Sequence, residues 1–240
     1  MQLQKLELMI QKSNNIVALL GPGILEECGL PNFRNDDACY EVESSYGYSP
    51  TELLSAQFFE TRKELFFQYY KEIILKKGVP CSALYALAKL EQIGKLKSII
   101  TTNMYNIEEE AGCKNVTHLY GYVEDNKCPR CGKAYSISYI KNSISVPLCE
   151  KCQVAIRPQI LLIGELLDNG LMTKAANAIE HADMLLLLGT HINDYRMGKL
   201  IQYYTGNRLV VINDIVHCAD SNADLLIKER PSNILPHINF

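Results

Sequence analysis

The chain has 240 residues, 48% of them apolar, with a formal net charge of −3 and a pI near 6.0. That length suits one full-sized domain with its own core plus a smaller lobe. The balance of charge excludes binding to nucleic acid by electrostatics alone. No apolar run approaches the ~20 residues of a membrane span, so no membrane partner is expected.

The opening segment, Met1-Gln-Leu-Gln-Lys-Leu-Glu-Leu8, is charged and amphipathic and lacks the apolar run of a secretory signal. Leu3, Leu6, Met9 and Ile10 recur at helical spacing and predict a helix over 3–12. Ile16–Leu20 reads as a buried strand running into Gly21-Pro22-Gly23. Strand, glycine turn and helix together open a βαβ unit. More buried strands are expected at Leu96–Ile100, Val116–Leu119, Gln159–Ile163, Met184–Leu188 and Arg208–Ile212. Helical stretches 82–93, 168–181 and 192–204 lie between them. Alternating strands and helices predict an α/β fold, a Rossmann-like parallel sheet with helices on both faces.

Two insertions break the alternation. Ser49-Pro50 places proline in a first helical turn and opens an aromatic-rich helical stretch over 50–77. The second insertion spans 122–156. The main domain is therefore assigned to 1–48, 78–121 and 157–240. A split small domain takes its helical part from 49–77 and its metal-binding ribbon from 122–156. Ligands of open α/β sheets bind beyond the carboxyl ends of the strands. The turns there, capped by the two insertions, should line one cleft.

The second insertion carries the strongest motif. Cys128-Pro-Arg-Cys131 and Cys149-Glu-Lys-Cys152 are separated by seventeen residues. Two such knuckles can close around one tetrahedral ion, and four thiolates favour a structural zinc with no open position. The rival reading is four buried or disulfide-linked cysteines, but the intervening loop is too short and polar for a core of its own. The other cysteines, Cys28, Cys39, Cys81, Cys113 and Cys218, are scattered and odd in number. Scattered thiols beside a thiolate metal site suit a reducing, cytoplasmic location.

Gly21-Pro-Gly-Ile-Leu-Glu-Glu-Cys-Gly-Leu-Pro-Asn-Phe-Arg34 resembles the sirtuin signature G-A-G-x-S-x-x-S-G-I-P-D-F-R. Thr101-Thr-Asn-Met-Tyr105 stands where sirtuins have T-Q-N-I-D, and Glu110-Ala-Gly112 resembles the E-A-G that closes that motif. The two cysteine pairs follow, then Arg157-Pro-Gln-Ile-Leu-Leu-Ile-Gly-Glu165 resembles R-P-x-I-V-x-F-G-E. Leu188-Gly-Thr190 is similar to the start of G-T-S-L, and Val211-Ile-Asn213 to the adenosine-side I-N. The resemblance covers nearly the whole chain. It implies a Rossmann-type domain that binds NAD, cleaves its glycosidic bond and passes ADP-ribose to the oxygen of an acyl-lysine. Carried over position by position, it places the nucleotide against Gly21, Gly23, Asn32, Phe33, Arg34, Thr102, Asn103, Tyr105, Gly189, Thr190, His191 and Asn213. Glu165 marks the loop on the acyl-lysine side.

The departures from the family pattern fall on the chemistry. The general base of sirtuins is the histidine of E-L-H-G. Here the string is His118-Leu-Tyr-Gly121, which puts Tyr120 at the base position. A phenol, with a reference pKa near ~10, carries almost no base form at neutral pH, and general-base help is worth roughly 10²–10⁴ in rate. His118 lies ~6–7 Å away along the same strand face and is either a substitute base or a satisfied core histidine. Tyr105 replaces the aspartate that holds the nicotinamide amide, and Asn32 replaces the signature aspartate. Pro22 removes one N–H from a turn that would hold phosphate. His191 either offers a ring N–H to a phosphate or only fills a turn. Three readings remain: an NAD- or ADP-ribose-binding protein with weak or absent deacylation, an active NAD-dependent deacylase, and an ADP-ribosyltransferase or NAD hydrolase that does without the base.

Overall fold

The structure is a computed structural model and describes residues 2–33, 36–194 and 197–239. It opens with α1 (Gln2–Gln11), which buries Leu6, Met9 and Ile10, and β1 (Ile16–Leu20), buried along its whole length. There follow α2 (Gly23–Glu27), α3 (Asp36–Tyr46), α4 (Pro50–Leu53), α5 (Ala56–Thr61) and α6 (Lys63–Tyr69). Then come α7 (Ser82–Gln92), β2 (Leu96–Thr101), α8 (Ile107–Glu110) and β3 (Val116–His118). The cysteine-rich insertion holds β4 (Gly121–Lys127), β5 (Ala134–Tyr135) and α9 (Ile137–Asn142), and β6 (Arg157–Ile160) closes it. The chain ends through α10 (Asn169–Glu180), β7 (Met184–Leu188), α11 (Met197–Ile201), β8 (Leu209–Ile212) and β9 (Leu225–Ile227).

Six of these strands form one parallel sheet in the order β3-β2-β1-β7-β8-β9. Counted among themselves they run 3-2-1-4-5-6. The order reverses between β1 and β7, and a doubly wound sheet binds its ligand at such a reversal. Parallel strands need cover on both faces, and their residues alternate accordingly. Ala18, Leu20, Leu186 and Leu188 face one apolar core, while Val17, Leu19, Leu185 and Leu187 face another with Ala175 and Ile179 of α10. The Rossmann-like sheet expected from the alternation is thus present. Its last strand, β9, is not among the strands expected from the sequence. Among the described residues no helix is long and apolar enough to cross a membrane.

Three expectations need correction. The predicted strand Gln159–Ile163 is not part of the parallel sheet. Only Gln159 and Ile160 fall in a strand, β6, which pairs antiparallel with β4 in a separate three-stranded sheet, and only alternate residues of β6 are buried. The helical stretch expected over 50–77 consists of separate short helices. Ser49 caps α4 with a reciprocal Glu52 bond, Ser55 restarts α5 by accepting from the Phe58 amide, and Arg62 leaves helical geometry before α6. Serine side chains that satisfy the first amides let a chain restart helices cheaply. Within 192–204, the described helix covers only Met197–Ile201.

The two insertions meet. Lys71 Nζ of the helical insertion donates to the Ser143 and Ser145 carbonyls of the other at 2.5 and 2.6 Å. Within the helical insertion, Phe59, Phe66, Phe67 and Tyr70 pack ring to ring, with Phe66 and Tyr70 stacked at 5.7 Å.

Glycine is required where the turns after β1 and β7 touch. A Cβ on Gly23 would lie 2.8 Å from the Gly189 Cα, and Gly189, at φ +60°, would place a Cβ 2.7 Å from the Ile24 nitrogen. Gly94, at φ +77°, has open space instead. Gly94→Ala should therefore cost only the left-handed penalty of ~1–2 kcal/mol. Gly189→Ala should add a backbone collision and lower the melting temperature by clearly more, by ~4 °C beyond Gly94→Ala if the collision costs ~1–2 kcal/mol. Equal melting temperatures for the two variants would show that the turns can part freely.

Candidate functional site

A cleft of about 490 Å³ opens at the reversal between β1 and β7. Gly23, Asn32, Gly189, Thr190, His191 and Asn213 line it, together with Pro22. The sequence had brought these residues together. Its backbone differs from the expected phosphate cradle. The amides of Gly21, Gly23, Ile24 and Leu25 donate to Leu188, Gly189, Gly21 and Pro22 carbonyls at 3.0–3.2 Å. Pro22 has no N–H to give, and α2 is only five residues long. The turn therefore offers side chains rather than free amides to a ligand.

Those side chains form a polar wall. Thr190 is buried and its Oγ1 has no hydrogen-bond partner among the described residues. His191 is held from behind: its Nδ1 lies 3.3 Å from Oδ2 of the fully buried Asp220 and 3.3 Å from Nδ2 of Asn213. Asp220 also accepts from the Ile192 and His217 amides at 2.9 and 2.8 Å. Asn213 donates to the Ile215 carbonyl as well.

Sequence reasoning missed the acidic lining. Glu26, Asp36, Asp37 and Asp214 all face the cleft. Asp214 pairs with Arg230 at 3.0 Å, and the Asn32 amide donates to Glu26 Oε1 at 2.9 Å. Among the described lining residues there is no lysine or arginine. Arg34, assigned to the nucleotide, lies outside the described residues. Each carboxylate near a pyrophosphate costs ~1–3 kcal/mol at an effective dielectric near 20, less when screened. Glu26 stands at an unspecified position of the signature, so only its charge could have signalled this.

The residues assigned to the nicotinamide side do not converge. Asn32 faces the cleft, but Tyr105 is buried, donates to the Ile74 carbonyl at 3.0 Å and lines a separate cavity of about 230 Å³ beside Leu30 and Val123. Burial pushes its phenol above the usual range, and the Glu124 carboxylate adds to the effect. Phe33 packs against Tyr69 at 6.1 Å. Thr102 ties the loop to β1 through its amide, 3.4 Å from the Leu20 carbonyl. Asn103 is buried and lines neither cavity; its amide nitrogen donates to Thr101 Oγ1 at 3.1 Å.

Tyr120, at the base position, packs with the apolar cluster of Leu19, Ile100 and Leu187 rather than lining the cleft. His118 is buried with both ring nitrogens engaged, Nδ1 to the Asn103 carbonyl at 3.3 Å and Nε2 to Glu109 Oε1 at 2.8 Å. Burial opposes its charged form, but the Glu109 carboxylate outweighs burial and leaves the ring above its usual pKa. Burial pushes the neighbouring Glu108 carboxyl up to about 7. In this arrangement His118 has no nitrogen free to take a proton from a ligand. Glu165 is paired with Arg157 at 2.7 Å.

The four paired cysteines do converge. All four sulfurs lie within 4.8 Å of one another. Both knuckles turn alike: the Gly132 amide bonds the Cys128 carbonyl at 2.9 Å and the Gln153 amide that of Cys149 at 2.8 Å. Gly132 and Gln153 both have positive φ, 72° and 54°. The Arg130 and Cys131 amides point at Cys128 Sγ at 3.4 Å, and the Tyr135 hydroxyl donates to Cys149 Sγ at 3.1 Å. This donor set is compatible with a tetrahedral zinc.

The family model for Sir2 matches residues 21–195. The chain belongs to the Sir2 family. It is 36% identical over 236 residues to an NAD-dependent protein deacetylase of Clostridium acetobutylicum, covering 98% of this chain and 96% of that one. A Clostridium perfringens protein of the same description is 39% identical, covering 98% and 97%. Among solved structures, Sir2 with a p53 peptide and NAD+ matches at a TM-score of 0.85 and 30% identity, covering 98% of this chain and 96% of that chain. A histidine-to-tyrosine mutant of Sir2 with p53 peptide and NAD matches at 0.85 and 28%, covering 99% and 97%. These solved structures share the fold over nearly the whole chain.

Position 105 cannot simply be returned to the family residue. Tyr105→Asp would remove a buried ring and leave a carboxylate beside Ile107 and Val123, costing ~3–5 kcal/mol. Chemical denaturation should show this loss as a lower midpoint; an unchanged midpoint would mean that the side chain can turn out to solvent.

Proposed function

We propose that this Sir2-family chain binds NAD or ADP-ribose in the cleft between β1 and β7, and that its protein deacylation is weak or absent. The observation that carries this reading is the burial of Tyr105 against the Ile74 carbonyl, where the family keeps a carboxylate for nicotinamide. Tyr120 among apolar side chains and the doubly engaged His118 support it. Thr190, His191 and Asn213 would hold the adenosine half and its phosphates, with Glu26 and its acidic neighbours weakening the contact. The Sir2 mutant solved with tyrosine in place of a histidine, together with peptide and NAD, is consistent with binding that survives such a change. A second reading, an active deacetylase acting on acyl-lysine proteins, is favoured by 36–39% identity to NAD-dependent protein deacetylases.

Nicotinamide release from NAD, with and without an acetylated peptide, separates the two. We expect peptide-dependent release at least ~100-fold below an ordinary sirtuin. In calorimetry, ADP-ribose should bind as well as NAD or better, and Glu26→Ser should tighten ADP-ribose by about tenfold, the equivalent of ~1.4 kcal/mol. Brisk peptide-dependent release would establish the second reading; much tighter binding of NAD than of ADP-ribose would show a working nicotinamide pocket.

We also assign a structural zinc to Cys128, Cys131, Cys149 and Cys152, and the thiolate-rich chain to the cytoplasm. Elemental analysis of protein purified without chelator should give one tightly held zinc per chain. Cys149→Ser should release it and loosen the lobe, since such ions supply ~10 kcal/mol or more of local folding free energy. Wild-type protein without zinc would refute the assignment.

A further inference from the structure

Behind the turn that follows β2, two carboxylates and an imidazole converge outside both the cleft and the cysteine cluster. Glu108 and Glu109 sit side by side on α8. His118 ends β3, where it pairs with Thr101 at the end of β2. Their ligand atoms all lie within 4.8 Å of one another.

Two features of this group call for a positive charge at its centre. The first is Glu108. It is fully buried; Asn103 Nδ2 donates to its Oε1 at 3.4 Å, the Thr101 hydroxyl and its own backbone amide also act on the carboxylate, and its Oε2 has no hydrogen-bond partner among the described residues. A buried carboxylate oxygen without a partner demands an explanation, and an ion is one of few available. The second is the His118 ring. Its Nδ1 faces the Asn103 carbonyl, which can only accept, so Nδ1 carries the proton. In the neutral ring Nε2 then presents a lone pair to Glu109 Oε1 at 2.8 Å. Two acceptors do not sit at that distance unless a proton or a cation lies between them. A ring N–H donated to a backbone carbonyl is also how metal-bound histidines are oriented.

We propose that Glu108, Glu109 and His118 bind a divalent first-row transition metal ion, distinct from the metal of the four cysteines. One imidazole and two carboxylates suit Mn²⁺, Fe²⁺ or Zn²⁺ better than a soft-metal site would. Bonds of ~2.0–2.2 Å require the ligands to draw in around the ion and the His118–Glu109 gap to widen. Glu109 can supply that movement, because its side chain is 41% exposed while that of His118 is only 6% exposed. The same exposure gives the ion an entry path. Glu124 on β4 has a buried Oε2 with no partner among the described residues; burial raises its pKa, and its carboxylate interacts with His118 and Glu109. A bound ion would tie α8 to β3 and fix Asn103 between them. None of this depends on whether the cleft takes NAD.

The test uses the full chain with its cysteine metal in place and Mn²⁺ as the probe, because thiolates discriminate against that ion. Electron paramagnetic resonance titration should count one bound Mn²⁺ per chain, and saturation should raise the melting temperature. Glu109→Gln, at a half-exposed position that folding tolerates, should weaken Mn²⁺ by about tenfold or more and abolish the thermal shift. Glu108→Gln should do the same where it folds. Absence of bound Mn²⁺ at millimolar concentration would overturn the proposal and leave a proton between His118 and Glu109. Unchanged binding in Glu109→Gln would overturn it equally, by placing the ion elsewhere.

Discussion

The close approach of two backbone turns governs this molecule. Gly21 and Gly23 after β1 lie against Gly189 after β7, with amide bonds of 3.0 Å from Gly21 to Leu188 and from Gly23 to Gly189. The contact holds the two strands in register at the reversal of the sheet, and so sets the floor of the cleft. It also uses up the amides that a phosphate would otherwise meet. What reaches the ligand is then decided by side chains, namely Thr190, His191 backed by Asp220, and the carboxylates led by Glu26. Rigidity at the floor and selectivity at the walls come from different parts of the sequence.

On the other side of the β1 turn the interior is aromatic. Phe33, Tyr46 and Tyr69 form a chain of ring contacts at 6.1 and 5.2 Å, and Tyr105 enters the same core. An aromatic interior of this kind stabilises the join between the sheet and the helical insertion. It leaves little polar surface for a carboxamide or for the positive charge that develops when a glycosidic bond breaks.

Much of this was legible in the sequence. The buried run Ile16–Leu20 ending in glycine, the alternation that followed and the paired cysteines pointed to the sheet, its cleft and the lobe. Gly23, Asn32, Gly189, Thr190, His191 and Asn213 do share one cavity. Other features depend on pairing and direction, which a one-dimensional pattern does not record. Residues 159–163 are as apolar as a core strand, yet their partner is β4. Tyr105 and Asn103 stand two apart in one motif but face different surroundings. Glu108 and His118 lie ten positions apart in elements that only the β2–β3 pairing brings together, so neither carboxylate next to the ring could be read ahead.

The strand order carries a consequence for how the chain comes into being. β1 takes hydrogen bonds from β2 on one edge and β7 on the other, and β7 begins at Met184, after about three quarters of the chain has been made. Until then one edge of a wholly apolar strand has no partner, and the cleft does not exist in any partial form. Such long-range parallel pairing closes slowly, and unpaired edges invite association with other chains. The cleft at the reversal therefore forms only once β7 docks beside β1.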